Sequence, residues 1–325
     1  MTESVITHPE KTNDPFPFTR FLAAKKSVDD RALNRQVWDT LSKALPPSSV
    51  EFPLRILEVG SGIGTMIERI VDWDLVRYAC YTAVDSSYEN IQAAVYRLQA
   101  WALARGLQVI SSPRGLMLQD KSHLLRISFE TADVQEFIDR EINLECWDLL
   151  VAHAFLDLVD VPSTLPGLFR MLSPGGLFLF TINFDGITIL EPVIDPPFDE
   201  EILNQYHQTM NDSIIRGQPS GDSRAGRHLF QHLRAAGAEI LSAGASDWVV
   251  HSLPQGYPED EAYFLHFIIH TIQGALAGHP RLDQDRFADW IRERHAQIER
   301  GELVYIAHQI DFFGKVGART PLREP

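Results

Sequence analysis

The chain has 325 residues, 45% of them hydrophobic, and a net charge of −15. It is long enough for one large domain or two, and its acidity, with no long basic run, argues against nucleic acids and anionic membranes as partners. No apolar run is long enough to cross a membrane, the first residues lack an export signal's apolar stretch, and the only cysteines, Cys80 and Cys146, form no C-x-x-C pair, so a cytoplasmic protein without a thiolate metal site is expected.

Residues 1–17 hold three prolines and few apolar side chains and read as a mobile arm. Ser27-Val28-Asp29-Asp30 reads as a capping box, after which Leu33, Val37, Trp38, Leu41 and Leu45 recur at helical spacing until Pro46-Pro47. The polar side of this helix carries Asp30, Arg31, Asn34 and Arg35, either a solvated face or a lid over a pocket. Residues 54–59 form a short apolar run with one acid, as a buried parallel strand does. Gly60, Gly62 and Gly64 follow, and then Met66/Ile67 and Ile70/Val71 at helical spacing. A strand, a glycine turn and a helix start let the backbone approach a ligand closely and offer it free N–H groups. Residues 81–85 read as the next strand, ending in Asp85, where a carboxylate can hold a ribose diol.

The pattern Glu58-x-Gly60-x-Gly62-x-Gly64 resembles motif I of the class I S-adenosylmethionine-dependent methyltransferases and departs from the G-x-G-x-x-G spacing of nicotinamide-binding proteins. The resemblance covers about residues 52–185, 226–251 and 302–313. It implies an α/β fold with a seven-stranded, mostly parallel doubly wound sheet whose last strand is antiparallel. S-adenosylmethionine would be the cofactor and S-adenosylhomocysteine the product. Glu58 would lie near the ligand's ammonium end, on the turn formed by Gly60, Ser61, Gly62 and Gly64, with Asp85 and Ser86 at the ribose. Asp133 would accept a hydrogen bond from the adenine amino group, with Val134 on the ring.

Further along, residues 106–122 exceed what this fold needs and hold a turn at 111–115, read as an extra hairpin or loop. Residues 124–129 and 147–152 read as the third and fourth strands. The fourth runs into His153 and Phe155, where the reactive end of the ligand belongs in open α/β sheets. His153 is a candidate general base or a pocket wall. A helix at 163–172, a Pro-Gly-Gly turn and a fifth strand at 177–182 come next, and residues 183–186 read as the loop after it. Residues 187–222 are an insertion. Within it Asp195-Pro196-Pro197-Phe198 matches the signature of amino-methyltransferases acting on bases, but the fourth-strand slot is already filled, so it reads as a proline turn. A helix at 226–237 and strands at 239–241 and 247–251 precede a second insertion, 254–300. Its apolar helix carries His266 and His270 on one face without the acid of H-E-x-x-H, so they read as core histidines. A helix at 286–300 and a last strand at 303–313 complete the chain.

The expected organisation is an N-terminal helical cap at 18–50 and a methyltransferase domain at 51–325, with both insertions joining the cap. The expected reaction is in-line attack by a small-molecule acceptor on the sulfonium methyl, since large insertions can enclose a small pocket. Asn34, Arg35 and Trp38 would face Phe184 and Asp185 across the acceptor, with Arg31, Lys25 and Lys26 turned to the ligand's carboxylate. No metal is implied. The competing readings are a non-catalytic S-adenosylmethionine-binding protein and a nicotinamide-dependent oxidoreductase.

Overall fold

The computed structural model describes residues 16–141, 147–215 and 218–317, so residues 1–15 of the expected arm and Cys146 lie outside the described residues. The helices are α1 (Phe18–Ala32), α2 (Arg35–Ala44), α3 (Thr65–Asp72), α4 (Tyr88–Ala104), α5 (Val134–Glu141), α6 (Val161–Arg170), α7 (Pro196–Asn211), α8 (Ala225–Ala235), α9 (Glu261–Leu276) and α10 (Gln284–Glu299). The strands are β1 (Leu54–Val59), β2 (Tyr78–Asp85), β3 (Gln108–Ser112), β4 (Gly115–Gln119), β5 (Leu124–Thr131), β6 (Trp147–His153), β7 (Leu172–Glu191), the short pair β8 (Ile214–Ile215) and β9 (Gln218–Pro219), β10 (Ala238–Ala245), β11 (Trp248–Val250) and β12 (Val304–Val316). Among the described residues no helix is long and apolar enough to cross a membrane.

One sheet organises the molecule, in the order β10-β12-β7-β6-β1-β2-β5-β4-β3, with β11 pairing β12. Setting aside β11 and the β3–β4 hairpin, its core strands numbered along the chain run 3-2-1-4-5-7-6. β7, β6, β1, β2 and β5 are mutually parallel, while β12 lies antiparallel between β7 and β10. This is the mostly parallel, doubly wound sheet expected, with the last strand antiparallel. The order reverses between β1 and β6, which opens a crevice at their carboxyl ends. The extra hairpin extends the sheet beyond β5.

Three apolar clusters follow from this layering. α2, α3 and α4 cover one face of the sheet through Val37, Leu41, Met66, Ile67 and Leu98, and α6 and α8 cover the other through Leu165, Leu168, Leu229 and Leu233. The third cluster is the cap, where Phe21 and Val28 of α1 meet Ile202 of α7, Phe264 and Ile269 of α9, and Trp290 of α10. α1 and both insertions thus share one core, while α2 belongs to the sheet.

Local readings need correction. The helix expected from the box at 27–30 is two helices: Ser27 sits inside α1, and the chain breaks at Leu33 and Asn34. Asn34 is an N-cap, its side chain accepting from Val37 N at 3.1 Å, so its local hydrogen bond wins over helix continuation. The expected loop at 183–186 is strand, because β7 runs on to Glu191 along β12. From there burial alternates, with Ile187 and Ile189 exposed and Leu190 buried against the cap. The proline turn at 195–198 opens α7, with Asp195 as N-cap residue and prolines in the first turn. Ser87 caps α4, accepting from Asn90 N at 3.2 Å.

Candidate functional site

The turn after β1 carries Gly60, Gly62 and Gly64 at φ of +66°, +54° and +79°, a region that side chains with a Cβ enter at a cost. Gly60 also admits a close neighbour: a Cβ there would meet the Phe155 ring at 2.3 Å. Gly62 N donates to Asp85 Oδ2 at 2.8 Å, joining the turn to the end of β2. The other oxygen of Asp85 accepts from Ser87 N at 2.9 Å and Asn90 Nδ2 at 3.1 Å. Burial pushes the Asp85 carboxyl up, and these bonds pull it back. Glu58, below the turn, is fully buried and accepts from the Tyr81 hydroxyl at 2.8 Å, and burial raises its pKa to about 8. Ser61 is buried too, and its hydroxyl has no hydrogen-bond partner among the described residues.

Across the crevice, α1 contributes a buried charge cluster. Asp29 Oδ2 takes Lys25 Nζ at 2.7 Å, His153 Nε2 at 2.9 Å and an Arg69 guanidinium nitrogen at 3.4 Å, while Oδ1 takes Trp248 Nε1 at 2.9 Å. Arg69, fully buried on α3, also donates to Asp30 Oδ1 at 2.6 Å and Thr65 Oγ1 at 3.1 Å. Burial works to raise the Asp29 pKa, but Lys25, His153 and Arg69 outweigh it and hold the group well below the usual carboxylate range. Burial, with Lys25 nearby, lowers His153 to about 4, so its imidazole is neutral at pH 7. Ionised Asp29 at 2.9 Å favours Nε2–H as donor over the longer 3.3 Å approach of an Arg69 nitrogen to the same atom, which leaves Nδ1 to accept from the Thr181 hydroxyl at 2.8 Å. Both ring nitrogens are therefore occupied.

The structure brings His153 and Phe155 to the crevice beside the glycine turn. Asp133 caps α5, its Oδ1 accepting from Gln135 N at 2.9 Å, with half-buried Val134 as the first helical residue. Ser86 is exposed. The residues expected around the acceptor hold other partners. Arg31 forms a two-pronged pair with buried Glu261 of α9, at 2.5 and 2.9 Å. Asn34, besides its cap, donates to Ala245 O at 2.9 Å, and its own N–H goes to Asp311 at 2.8 Å. Arg35 lies over the Trp73 ring, which meets buried Trp38 edge-on. Phe184 packs edge-on against His207, and Asp185 is gripped by Arg227 at 2.8 and 2.9 Å. Lys26 pairs with Asp30 at 2.7 Å. Arg31, Asn34, Arg35 and Trp38 are thus occupied by packing, capping and pairing within the protein. His266 meets His295 of α10, with Nδ1 atoms 2.7 Å apart, while His270 lies against Phe16 with the rings tilted, 4.8 Å between centres.

Sequence reading missed Asp29, Arg69, Thr181 and Trp248. Asp29 and Arg69 sit in helices where charge reads as solvated surface, and no local pattern links residues from α1, α3, β6, β7 and β11. One signal was present: an arginine amid the apolar residues Met66, Ile67, Ile70 and Val71 of α3 has to find a partner if that helix is buried.

No family model matches the chain, and no curated protein matches it. Solved structures similar to it include the 4+2 cyclase SpnF, at 14% identity over 93% of this chain and 95% of that one, with a TM-score of 0.42. Phosphoethanolamine N-methyltransferase 2 of Haemonchus contortus, in complex with phosphomonomethylethanolamine and S-adenosylhomocysteine, is 12% identical, with 93% of this chain and 58% of that one covered and a TM-score of 0.44. The YcgJ protein of Bacillus subtilis is 11% identical over 88% of this chain and 100% of that one, with a TM-score of 0.44. The fold assignment rests on the strand order itself rather than on these similarities.

Proposed function

We propose that the protein binds S-adenosylmethionine on the Gly60–Gly64 turn and transfers its methyl group to a small-molecule acceptor beneath the cap. The observation that carries this is the turn: three alternate glycines with left-handed backbones, hydrogen-bonded through Gly62 to the acid ending β2, at the point where the strand order reverses. The donor chemistry fits the cofactor. Ser61 has an orphaned buried hydroxyl. Asp85 receives three hydrogen bonds, so of its roughly four acceptor positions one is left for a ribose hydroxyl. Glu58 is a buried acid that a neighbouring ammonium would draw into its ionised form, with release of a proton. The bound cofactor would supply an electrophilic sulfonium methyl.

The chain's own part is to align the acceptor and keep water out. α1 does the latter: Leu22 lies over Gly62, 3.3 Å from where its Cβ would be, and the Asp29 cluster fastens the helix to β6 and α3. With both nitrogens engaged, His153 in this arrangement positions α1 and takes no proton from an acceptor. For ligands to enter, α1 has to swing away, and the cluster re-forms behind them. Calorimetry tests the assignment. S-adenosylhomocysteine is expected to bind with micromolar affinity, about −8 kcal/mol, and NAD not at all. Binding of NAD with no heat from S-adenosylhomocysteine would overturn it.

A further inference from the structure

We propose that Asp222, His228 and His232 form a binding site for a divalent transition metal ion of the zinc or nickel class, on the side of α8 next to the Ser220–Ser223 segment. His228 and His232 are one helical turn apart and share a face of α8, and Asp222 comes from the chain leading into that helix. One ligand atom from each lies within 4.8 Å of the others. In tetrahedral zinc sites with bonds of about 2.0–2.1 Å, ligand atoms stand roughly 3.3 Å apart, so the site closes by small side-chain rotations. The histidines have room for this, since His228 is exposed and His232 half-buried.

The carboxylate is already oriented. Asp222 Oδ1 accepts from Arg224 N at 2.8 Å, and its own N–H goes to Asp157 O at 3.0 Å, which leaves Oδ2 directed at His228 Nδ1, 2.6 Å away. Such hydrogen bonds behind a ligand fix its direction and raise affinity. The bland alternative is an aspartate that only turns the chain into α8, with two surface histidines beside it. That accounts for Asp222 and His228, while His232, which meets the His228 ring edge-on at 6.2 Å between ring centres, completes a set of three donors that the alternative does not use. Two imidazoles and a carboxylate suit zinc, nickel or cobalt rather than magnesium or calcium, and a fourth position stays open to water. The sequence expectation of no metal weighed His266 and His270 and passed over this pair.

A bound ion would clip residues 220–223 to α8. That segment covers the turn after β6, with Ser220 Oγ donating to Leu158 O at 2.7 Å. The site would therefore brace the floor of the crevice without entering the proposed methyl transfer, and it stands whether or not that reading does. The test uses untagged, metal-free protein titrated with zinc chloride in a calorimeter and with cobalt(II) by visible absorption. One ion per chain is expected at about 10 µM affinity or better, with cobalt bands in the visible. Asp222→Asn, His228→Ala and His232→Ala, all away from the apolar cores, are each expected to weaken binding at least about tenfold, while His266→Ala leaves it unchanged. Absence of binding by the unaltered protein at about 100 µM metal, or binding that survives loss of both His228 and His232, overturns the proposal.

Discussion

The two sides of the crevice hold their charges by different means. On the β1–β2 side the acids at the strand ends are met chiefly by nearby main chain: Asp85 by Gly62 N and Ser87 N, and Asp133 by Gln135 N. On the cap side Asp29 is met by side chains from four elements, Lys25 of α1, Arg69 of α3, His153 of β6 and Trp248 of β11. The first arrangement is built into the turn and survives movement of α1. The second exists only while α1 is docked. Breaking such a buried cluster leaves uncompensated charge, so docking is close to all-or-none. A rigid ligand turn beneath a switchable cover is what a site needs if it must admit ligands and then exclude water.

Removing the centre of the cluster gives the largest expected effect. Asp29→Ala leaves Lys25 and Arg69 in the interior without their shared partner, a loss of about 3–5 kcal/mol in urea unfolding or, if α1 undocks to rehydrate them, selective loss of hydrogen-exchange protection in α1. If neither changes, the cap side is no more cooperative than the turn side and the contrast fails.

The second effect is a pH dependence with opposite signs on the two sides. The folded pKa of His153, about 4, lies below its ordinary 6.5, so its contribution is fully present above 6.5 and is lost as pH falls towards 4. The shift sets an upper bound of about 3 kcal/mol. The depressed Asp29 pKa acts in the same direction at lower pH. Because Glu58 acts with the opposite sign over much of the same interval, the His153 effect is read in a Glu58→Gln background, where unfolding midpoints should fall as pH drops from 6.5 to 4, and much less once His153→Gln is added. Glu58 works oppositely. Its raised pKa, about 8, means that stability is lost as pH rises from 4.5 through 8, and Glu58→Gln should remove that loss.

A smaller effect isolates the turn. Asp85→Ala should weaken S-adenosylhomocysteine binding by roughly 1.5–3 kcal/mol, the range for hydrogen bonds to a charged group, without altering exchange in α1. Smallest is Arg35→Ala. Its guanidinium is 4.4 Å from the centre of the Trp73 ring. Such an exposed contact is worth about 0.5–1 kcal/mol, and cofactor affinity should stay within about twofold. A tenfold drop in affinity would return Arg35 to the ligand site.

The same contrast explains what was legible in the sequence. Glu58, the three glycines and Asp85 announce themselves because a strand, a turn needing positive φ and a helix start are contiguous, and the parallel strands are continuous apolar runs. The extra hairpin showed through its turn at 111–115. The Asp29 cluster draws on residues up to 219 positions apart, as Trp248 and Asp29 are, and nothing local encodes that meeting. Misreadings came from local signals overruled by tertiary partners. Asn34 breaks the helix because Val37 N, Ala245 O and Asp311 all engage it. The loop after strand five became strand because β12 offered pairing partners as far as Glu191.

The central claim, a glycine turn that holds the cofactor beneath an α1 cover, is tested most directly by hydrogen exchange with and without S-adenosylhomocysteine. Slower exchange at residues 60–64 and 85–90, together with added protection in α1, is the predicted result, with no change on adding NAD. Unchanged exchange at the turn in the presence of bound S-adenosylhomocysteine, or protection there by NAD instead, would contradict it.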